Sequence, residues 1–370
     1  VAVIIGVDAH KRSHTLVGID ERGRKLATKT VDATGVGHAE ALRWAHKRFG
    51  ADLVWGVEDV RSVSASVERD LLAAGQRVVR VPPRLMGQTR ASARVPGKSD
   101  PLDAVAVART VLQEPDLPLA KLDEASRELK LLVDHREDLL GQLLATTNRL
   151  LWRLHELDPA AAPERGGVRS VRNRQAVAGF LAHKPGLVAE LARAELADVE
   201  RLTALTEALE KRIAATVQEL APALLALPGC GPLTAAKIMG ETADVTRFKS
   251  EAAFARHAGV APVPHWSATP GHGRYIKSGN RQLNMALHRI AVTQLTLGGA
   301  GRDYVEMRVK SGDRRSAAIR ALKRRLARVV FTRLHADQAL RGDGAISQPS
   351  HTDRGGAGTG SSAAHEVAKK

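Results

Sequence analysis

The chain has one cysteine in 370 residues, Cys230, and aromatic side chains make up only 3% of it. A lone cysteine excludes a disulfide scaffold and any zinc site built on paired thiolates, and it fits a reducing compartment such as the cytoplasm. No apolar run approaches the roughly 20 residues that a membrane-spanning helix needs. The opening "VAVIIGVDAH" lacks the basic region and small-residue cleavage site of a secretory signal and reads as a strand. With so few aromatics, the apolar share of 44% falls mainly on Ala and Leu, which leans toward helices. The length allows two or three domains with cores of their own.

What the chain does have is positive charge. The net value is +16, unevenly spread. Residues 1–113 carry 18 basic and 12 acidic groups, residues 114–227 carry 15 and 18, residues 228–341 carry 20 and 7, and residues 342–370 carry 3 of each. A basic block of that size calls for a polyanionic partner, most often nucleic acid.

Residues 1–115 read as an α/β domain. "VAVIIGVD", "SHTLVGID" and "RKLATKTVD" are three strands separated by short turns, as in an antiparallel meander. "GHAEALRWAHKRF" is a helix, "DLVWGVED" a strand, "SVSASVERDLLAAG" a helix closed by Gly75, "QRVVRVPP" a strand stopped by two prolines, and "DPLDAVAVARTVLQ" a helix. That order is the order of an RNase H-like domain.

Residues 116–222 read as a helical connector. Leu129, Arg136, Leu143, Leu150 and Leu157 repeat every seven residues beside Val133, Leu140, Thr147 and Leu154, which predicts a coiled-coil seam. A later helix, "DVERLTALTEALEKRIAATVQEL", has a weaker seam through Leu202, Leu209, Ile213 and Leu220. The two helices can pair with each other as a hairpin or each with another chain. Residues 223–341 form a third, mainly helical block, and the Gly/Ser-rich residues 342–370 are expected to be disordered.

Carboxylates carry the first chemical signal. Asp8 ends the first strand and Glu58 the fourth, with Asp59 a competitor for the second place. In a sheet of this type those strand ends are neighbours. Asp100 and Asp103 sit three apart on one face of the last helix of the domain. If that helix crosses the strand ends, four acids converge, and like charges at short range oppose ionisation until cations enter. Two Mg²⁺ ions would satisfy such a set and could stabilise the entering and leaving oxygens of a phosphoryl transfer. A second reading makes Asp100 the cap of its helix, with Pro101 at the first helical position and Asp103 completing a capping box.

The third block holds three further features. "LPGCGPLTAAKI" resembles a helix–hairpin–helix turn, whose glycines let backbone N–H groups approach a phosphate; an ordinary interhelical turn is the other reading. Cys230, flanked by glycines, reads as a small packed residue. "HAGVAPVPHWSATPGHGRYIKSGNRQ" is a long loop with Ser267 and Thr269 among His265, His272, Arg274, Lys277 and Arg281. Its serine could attack a phosphorus atom, or the loop could simply hold phosphates. "RRSAAIRALKRRLARVVFTRL" is a basic amphipathic helix with Ile319, Leu322, Leu326, Val329 and Val330 expected inward and its arginines, Arg324 and Arg325 among them, outward along a phosphate backbone.

The pieces "GVDAHKRSH", "WGVEDV", "GKSDPLDAVAVAR", "LPGCGPLTA", "FARHAGVAPVPHWSA" and "GNRQLNMALHRIA", in this order and spacing, resemble the DEDD-type insertion-sequence transposases, which act as bridge-RNA-guided serine recombinases. The resemblance runs from about residue 1 to residue 341. It implies a RuvC-like nuclease domain, a coiled-coil connector and a small transposase domain. It places catalytic, metal-holding acids at Asp8, Glu58, Asp100 and Asp103, with Mg²⁺ as cofactor, and a nucleophilic serine at Ser267. It also implies donor and target DNA and an element-encoded guide RNA as partners, and a homodimer that assembles into a tetramer with acids and serine drawn from different protomers. Lys98, Arg274, Lys277, Arg281, Arg324 and Arg325 are the expected nucleic-acid contacts. One departure is Ala268, where family members usually carry Gly after the serine. Two other functions fit the same residues: a metal-dependent Holliday-junction-type nuclease that uses water, and a nucleic-acid-binding protein without catalysis.

Overall fold

The computed structural model describes residues 3–58, 63–82, 85–86, 100–115, 117, 119–121, 123–163, 167–263, 274–275 and 279–346. Five strands form one mixed sheet: β1 (Val3–Ala9), β2 (Ser13–Ile19), β3 (Lys25–Asp32), β4 (Leu53–Glu58) and β5 (Arg77–Val81). Their order across the sheet is β3-β2-β1-β4-β5. The first three are antiparallel, and β4 and β5 run parallel to β1. This is the RNase H-like arrangement expected from the order of elements.

Strand alternation divides the sheet into two faces. On one face Ile5, Val7, Leu16, Trp55 and Val57 pack with Ala41 and Ala45 of α1 (Gly35–Phe49) and Val67 and Leu71 of α2 (Ala65–Ala73). Trp55 is fully buried and its indole N–H donates to Gln76 at 3.0 Å. Thr34 caps α1 through the Gly37 amide, and Gly50 ends it at φ 83°. The other face is covered by α3 (Asp100–Gln113), whose Ala104, Val107, Ala108 and Val111 pack on Ile4, Val17 and Val79. Each large apolar side chain withdrawn from water in these two layers contributes about 1.5–3 kcal/mol.

Two long helices follow, α4 (Glu124–Leu157) and α6 (Leu187–Leu220), with α5 (Val171–Ala182) between them. Of the two pairings that the heptads allow, α4 and α6 pack against each other in one chain. Arg136–Glu210 and Arg153–Glu195 ion pairs bridge them. Beyond Ser126 in its first turn, the buried positions of α4 are Leu129, Val133, Leu139, Thr146, Leu150 and Leu154, so Leu139 and Thr146 replace the expected Leu140 and Thr147. Leu139 and Thr146 are again seven apart, so the heptad spacing is kept while this part of the seam sits one position, about 100°, around the helix. On α6 the seam includes Ala192, Leu196, Val199, Thr206 and Val217 besides Leu202 and Ile213, while Leu209 and Leu220 are only half-buried.

The last block consists of α7 (Pro222–Leu225), α8 (Pro232–Thr242), α9 (Glu251–His257), the two-residue strands β6 (Pro262–Val263) and β7 (Arg274–Tyr275), α10 (Arg281–Leu297), α11 (Ala300–Lys310) and α12 (Arg315–Ile346). Its core takes Leu129 and Val133 from α4 and Ile213 and Val217 from α6, so the foot of the hairpin and this block share one apolar cluster. The backbone of α12 continues to Ile346, into the segment expected to be disordered from residue 342. Residues 347–370 of that expected tail lie outside the described residues. Among the described residues, no helix is long and apolar enough to cross a membrane.

Candidate active site

Asp8 lies one residue before the end of β1, and Glu58 is the last residue of β4. The parallel register pairs Gly6 with Gly56 and Val7 with Val57, so Asp8 and Glu58 come next on adjacent strands. Val7 and Val57 face the α1–α2 layer, which turns Asp8 and Glu58 to the opposite face, the one that α3 covers.

Two glycines let α3 lie close on that face. A Cβ on Gly6 would stand 1.9 Å from the Ala104 carbonyl oxygen, and one on Gly56 would stand 2.7 Å from Val111. The helix backbone therefore rests on the strands, and its first turn, with Asp100 and Asp103, meets the strand ends. Asp8 and Asp103 are both buried, at 5% and 7% exposure, while Asp100 stands at the rim. Burial pushes the Asp8 carboxyl above its ordinary value; the charge of His10 opposes this, and the charges of Asp103 and Asp100 reinforce it. Hard oxygen donors crowded in this way suit a divalent cation, whose charge offsets the repulsion among them. Asp100 is the first helical residue, and its carboxylate reaches across to His10.

His10 escaped the reading of the sequence. Its Nε2 is 3.1 Å from Asp8 Oδ2 and 3.4 Å from Asp100 Oδ1. One donor atom from each of Asp8, His10 and Asp100 lies within 4.8 Å of the others. The signal was present as Asp-x-His at a strand end, the spacing that sends two side chains to one face.

The serine loop is partly in view. Ser267, Lys277 and, in the first domain, Lys98 lie outside the described residues. The backbone of Arg274 belongs to β7, where it pairs with Val263. The two ends of the loop meet. A Cβ on Gly279 would stand 2.1 Å from the Gly259 nitrogen, and the Asn280 amide donates to the His257 carbonyl at 2.6 Å. Asn280 Oδ1 caps α10 through the Gln282 and Leu283 amides, and its Nδ2 donates to Glu241 at 2.7 Å. Glu241 also accepts from Lys130 of α4 at 2.8 Å. One turn away, buried Lys237 pairs with Glu137 and donates to Gln282 at 2.9 Å. Arg281 opens α10 and is exposed.

The basic helix α12 differs in detail from expectation. Leu322, Leu326 and Val330 face inward, joined by Ala318, Ala327 and Leu334. Val329 is exposed, and Ile319 only half-buried. Arg324 is half-buried and pairs with Glu251 at 3.3 Å, while the Arg325 guanidinium lies 4.1 Å over the Tyr304 ring. At the turn before α8, Gly229 takes φ 84° and Gln294 donates to the Pro228 carbonyl at 2.8 Å, which seats the turn on α10. Burial pushes the Cys230 thiol up to about 12, so it is a packed residue and not a nucleophile.

A sheet of this order, with acids gathered at its strand ends under a covering helix, defines the class: an RNase H-like domain with a site suited to a divalent cation, joined to a basic helical block. A DEDD-type, IS110-group transposase family model matches residues 5–159, and a model for transposases of the IS116/IS110/IS902 family matches residues 221–306. The chain belongs to this family of insertion-sequence transposases. It is 27% identical over 378 residues to an uncharacterized 44.8 kDa protein of insertion element IS116 from Streptomyces clavuligerus, which covers 89% of this chain and 94% of the relative. It is 27% identical over 390 residues to an uncharacterized 43.6 kDa protein of insertion element IS110 from Streptomyces coelicolor, which covers 90% and 94%. Among solved structures, T. thermophilus RuvC in complex with a Holliday junction substrate overlaps 31% of this chain and 95% of RuvC, at 18% identity and a TM-score of 0.26.

Proposed function

We propose that this transposase is a site-specific DNA recombinase that cuts and exchanges strands through a serine–DNA ester. The observation that supports the reading is that Asp8 meets Asp100 around His10 and feels the charge of Asp103, at the end of the strand next to the one that Glu58 closes, in a transposase chain. These four acids would hold Mg²⁺, two ions by preference, and bound Mg²⁺ would neutralise charge on the phosphate under attack. The Ser267 hydroxyl attacks a DNA phosphorus and loses its proton. The P–O bond to the leaving strand breaks, and a deoxyribose hydroxyl leaves on that strand. Attack by a hydroxyl of the incoming strand reverses these bonds and restores the serine. The excess charge of residues 228–341 supports a role for Arg274, Lys277, Arg281, Arg324 and Arg325 along nucleic-acid phosphates, and Lys98, two positions before Asp100 in the sequence, would join them.

The same family reading supplies the partners. Donor and target DNA are chosen by an element-encoded bridge RNA. A homodimer assembles into a tetramer, with acids from one protomer facing Ser267 of another. The protein works in the cytoplasm on the nucleoid. The deciding experiment follows strand exchange and covalent protein–DNA adduct in Ser267→Ala and Asp8→Asn variants. Loss of both products in both variants is the expected outcome. Cleavage by Ser267→Ala that leaves hydrolysed ends and no adduct would move the protein to the water-using, junction-type nucleases. Indifference to both substitutions would leave only nucleic-acid binding.

A further inference from the structure

We propose that His10 is a ligand of the divalent cation, through Nε2, alongside Asp8 and Asp100, and that this nitrogen tilts the site toward Mn²⁺ relative to Mg²⁺. The inference rests on the reading of the acids as a metal centre. Its basis is geometric. Donors bound to one ion at about 2.1 Å in cis positions of an octahedron stand about 3 Å apart. The 3.1 Å and 3.4 Å separations of His10 Nε2 from Asp8 and Asp100 are of that size; without an ion the first is a hydrogen bond, and ligation replaces it, with Nε2 giving up its proton and Nδ1 keeping one. Strand alternation turns the ring to the face of Asp8, and the His10 amide donates to the Ser13 carbonyl at 3.0 Å, closing the β1–β2 turn beneath it. Its side chain is 49% exposed, so it can meet an ion arriving from solvent.

The chemistry follows from donor type. Mg²⁺ takes hard oxygen ligands and parts reluctantly with water, whereas imidazole nitrogen favours first-row transition ions. A site of oxygen atoms alone gives Mn²⁺ little advantage; one nitrogen adds to it. His10 thus acts as a specificity-determining ligand.

The test uses the full chain without DNA, titrated with Mn²⁺ and with Mg²⁺ and examined by pulsed electron paramagnetic resonance of bound Mn²⁺. The expected result is nitrogen hyperfine modulation that changes when histidine is labelled with nitrogen-15 and disappears in His10→Gln. That variant should lose about tenfold in Mn²⁺ affinity and keep its Mg²⁺ affinity within about threefold. Bound Mn²⁺ without nitrogen modulation in the wild-type chain would overturn the inference, whether or not the variant folds. An unchanged Mn²⁺-to-Mg²⁺ preference in a folded His10→Gln would do the same. Asp8→Asn separates this from the parent reading. If Asp8→Asn binds Mn²⁺ as tightly as the wild type, the metal centre itself is misassigned; if it loses Mn²⁺ while the wild type shows no nitrogen signal, only the role of His10 fails.

Discussion

Gly6 and Gly56 stand opposite one another on parallel neighbours β1 and β4, and α3 lies across both. Neither position has room for a side chain: a Cβ on Gly6 would meet helix backbone at Ala104 and Ala108, and one on Gly56 would meet Val111 and Val107. The pair sets how closely the helix that carries Asp100 and Asp103 approaches the strands that carry Asp8 and Glu58.

Gly6→Ala should therefore act on the site as well as on the core. Helix backbone cannot yield as the tip of a flexible side chain can, so the helix must lift. The expected cost is about 1–3 kcal/mol of stability, the usual range for overpacking, with a parallel loss of divalent-ion affinity. Denaturant unfolding and Mn²⁺ titration of one variant measure both. Full ion affinity in a folded Gly6→Ala would show that α3 need not lie so close.

Asp8→Asn should separate stability from activity. The ordinary carboxyl is ionised near neutral pH, yet burial and the charges of Asp103 and Asp100 oppose that charge in the fold. Removing it should raise the unfolding midpoint of the metal-free protein and abolish the further rise that divalent ions give. DNA cleavage should fall by at least about 10–100-fold, the loss already typical when a metal site loses only an outer partner. A lower midpoint would mean that Asp8 serves chiefly as a structural partner of His10.

The link between α4 and the base of the serine loop can be tested by charge exchange. Lys237 is 4% exposed and pairs with Glu137, and Lys130 pairs with Glu241 in the opposite sense. Lys237→Met leaves the partly exposed Glu137 without its cation and Gln282 without its donor, and should cost about 1–3 kcal/mol. Lys237→Glu combined with Glu137→Lys should restore part of that stability and part of the strand-exchange rate. Restored stability without any activity would confine the pair to packing.

Two histidines, His14 fully buried and His257 half-buried, predict an acid limb in the stability profile. Burial, with His38 close by, pushes His14 down to about 4, and burial with Arg247 pushes His257 down to about 3. The unfolded chain takes up these protons near pH 6.5, while the folded chain resists until the lower value, so stability falls as pH drops through that window. For His14 the loss is on the order of 3 kcal/mol between pH 6.5 and 4. Urea unfolding at pH 7, 5.5 and 4 should show a shallower decline in His14→Asn; an unchanged slope would exclude His14 as its source.

The amino-acid sequence by itself determined the order of elements in the first domain and the residues at its strand ends, because strand alternation, turn residues and helix caps are local. It also showed that residues 129–157 are a long amphipathic helix. Tertiary structure decided what local signals cannot carry. The seam moved onto Leu139 and Thr146, one position around the helix from the expected pair, where α4 packs on α6 of the same chain. Val329 turned outward, and Arg324 was drawn to Glu251, because α12 rolled to suit α9 and α10. The meeting of Asp8, His10 and Asp100 needed α3 to come back across the sheet from more than 90 positions away along the chain. Only the close fit of that helix over Gly6 and Gly56 turned acids scattered along the chain into one site.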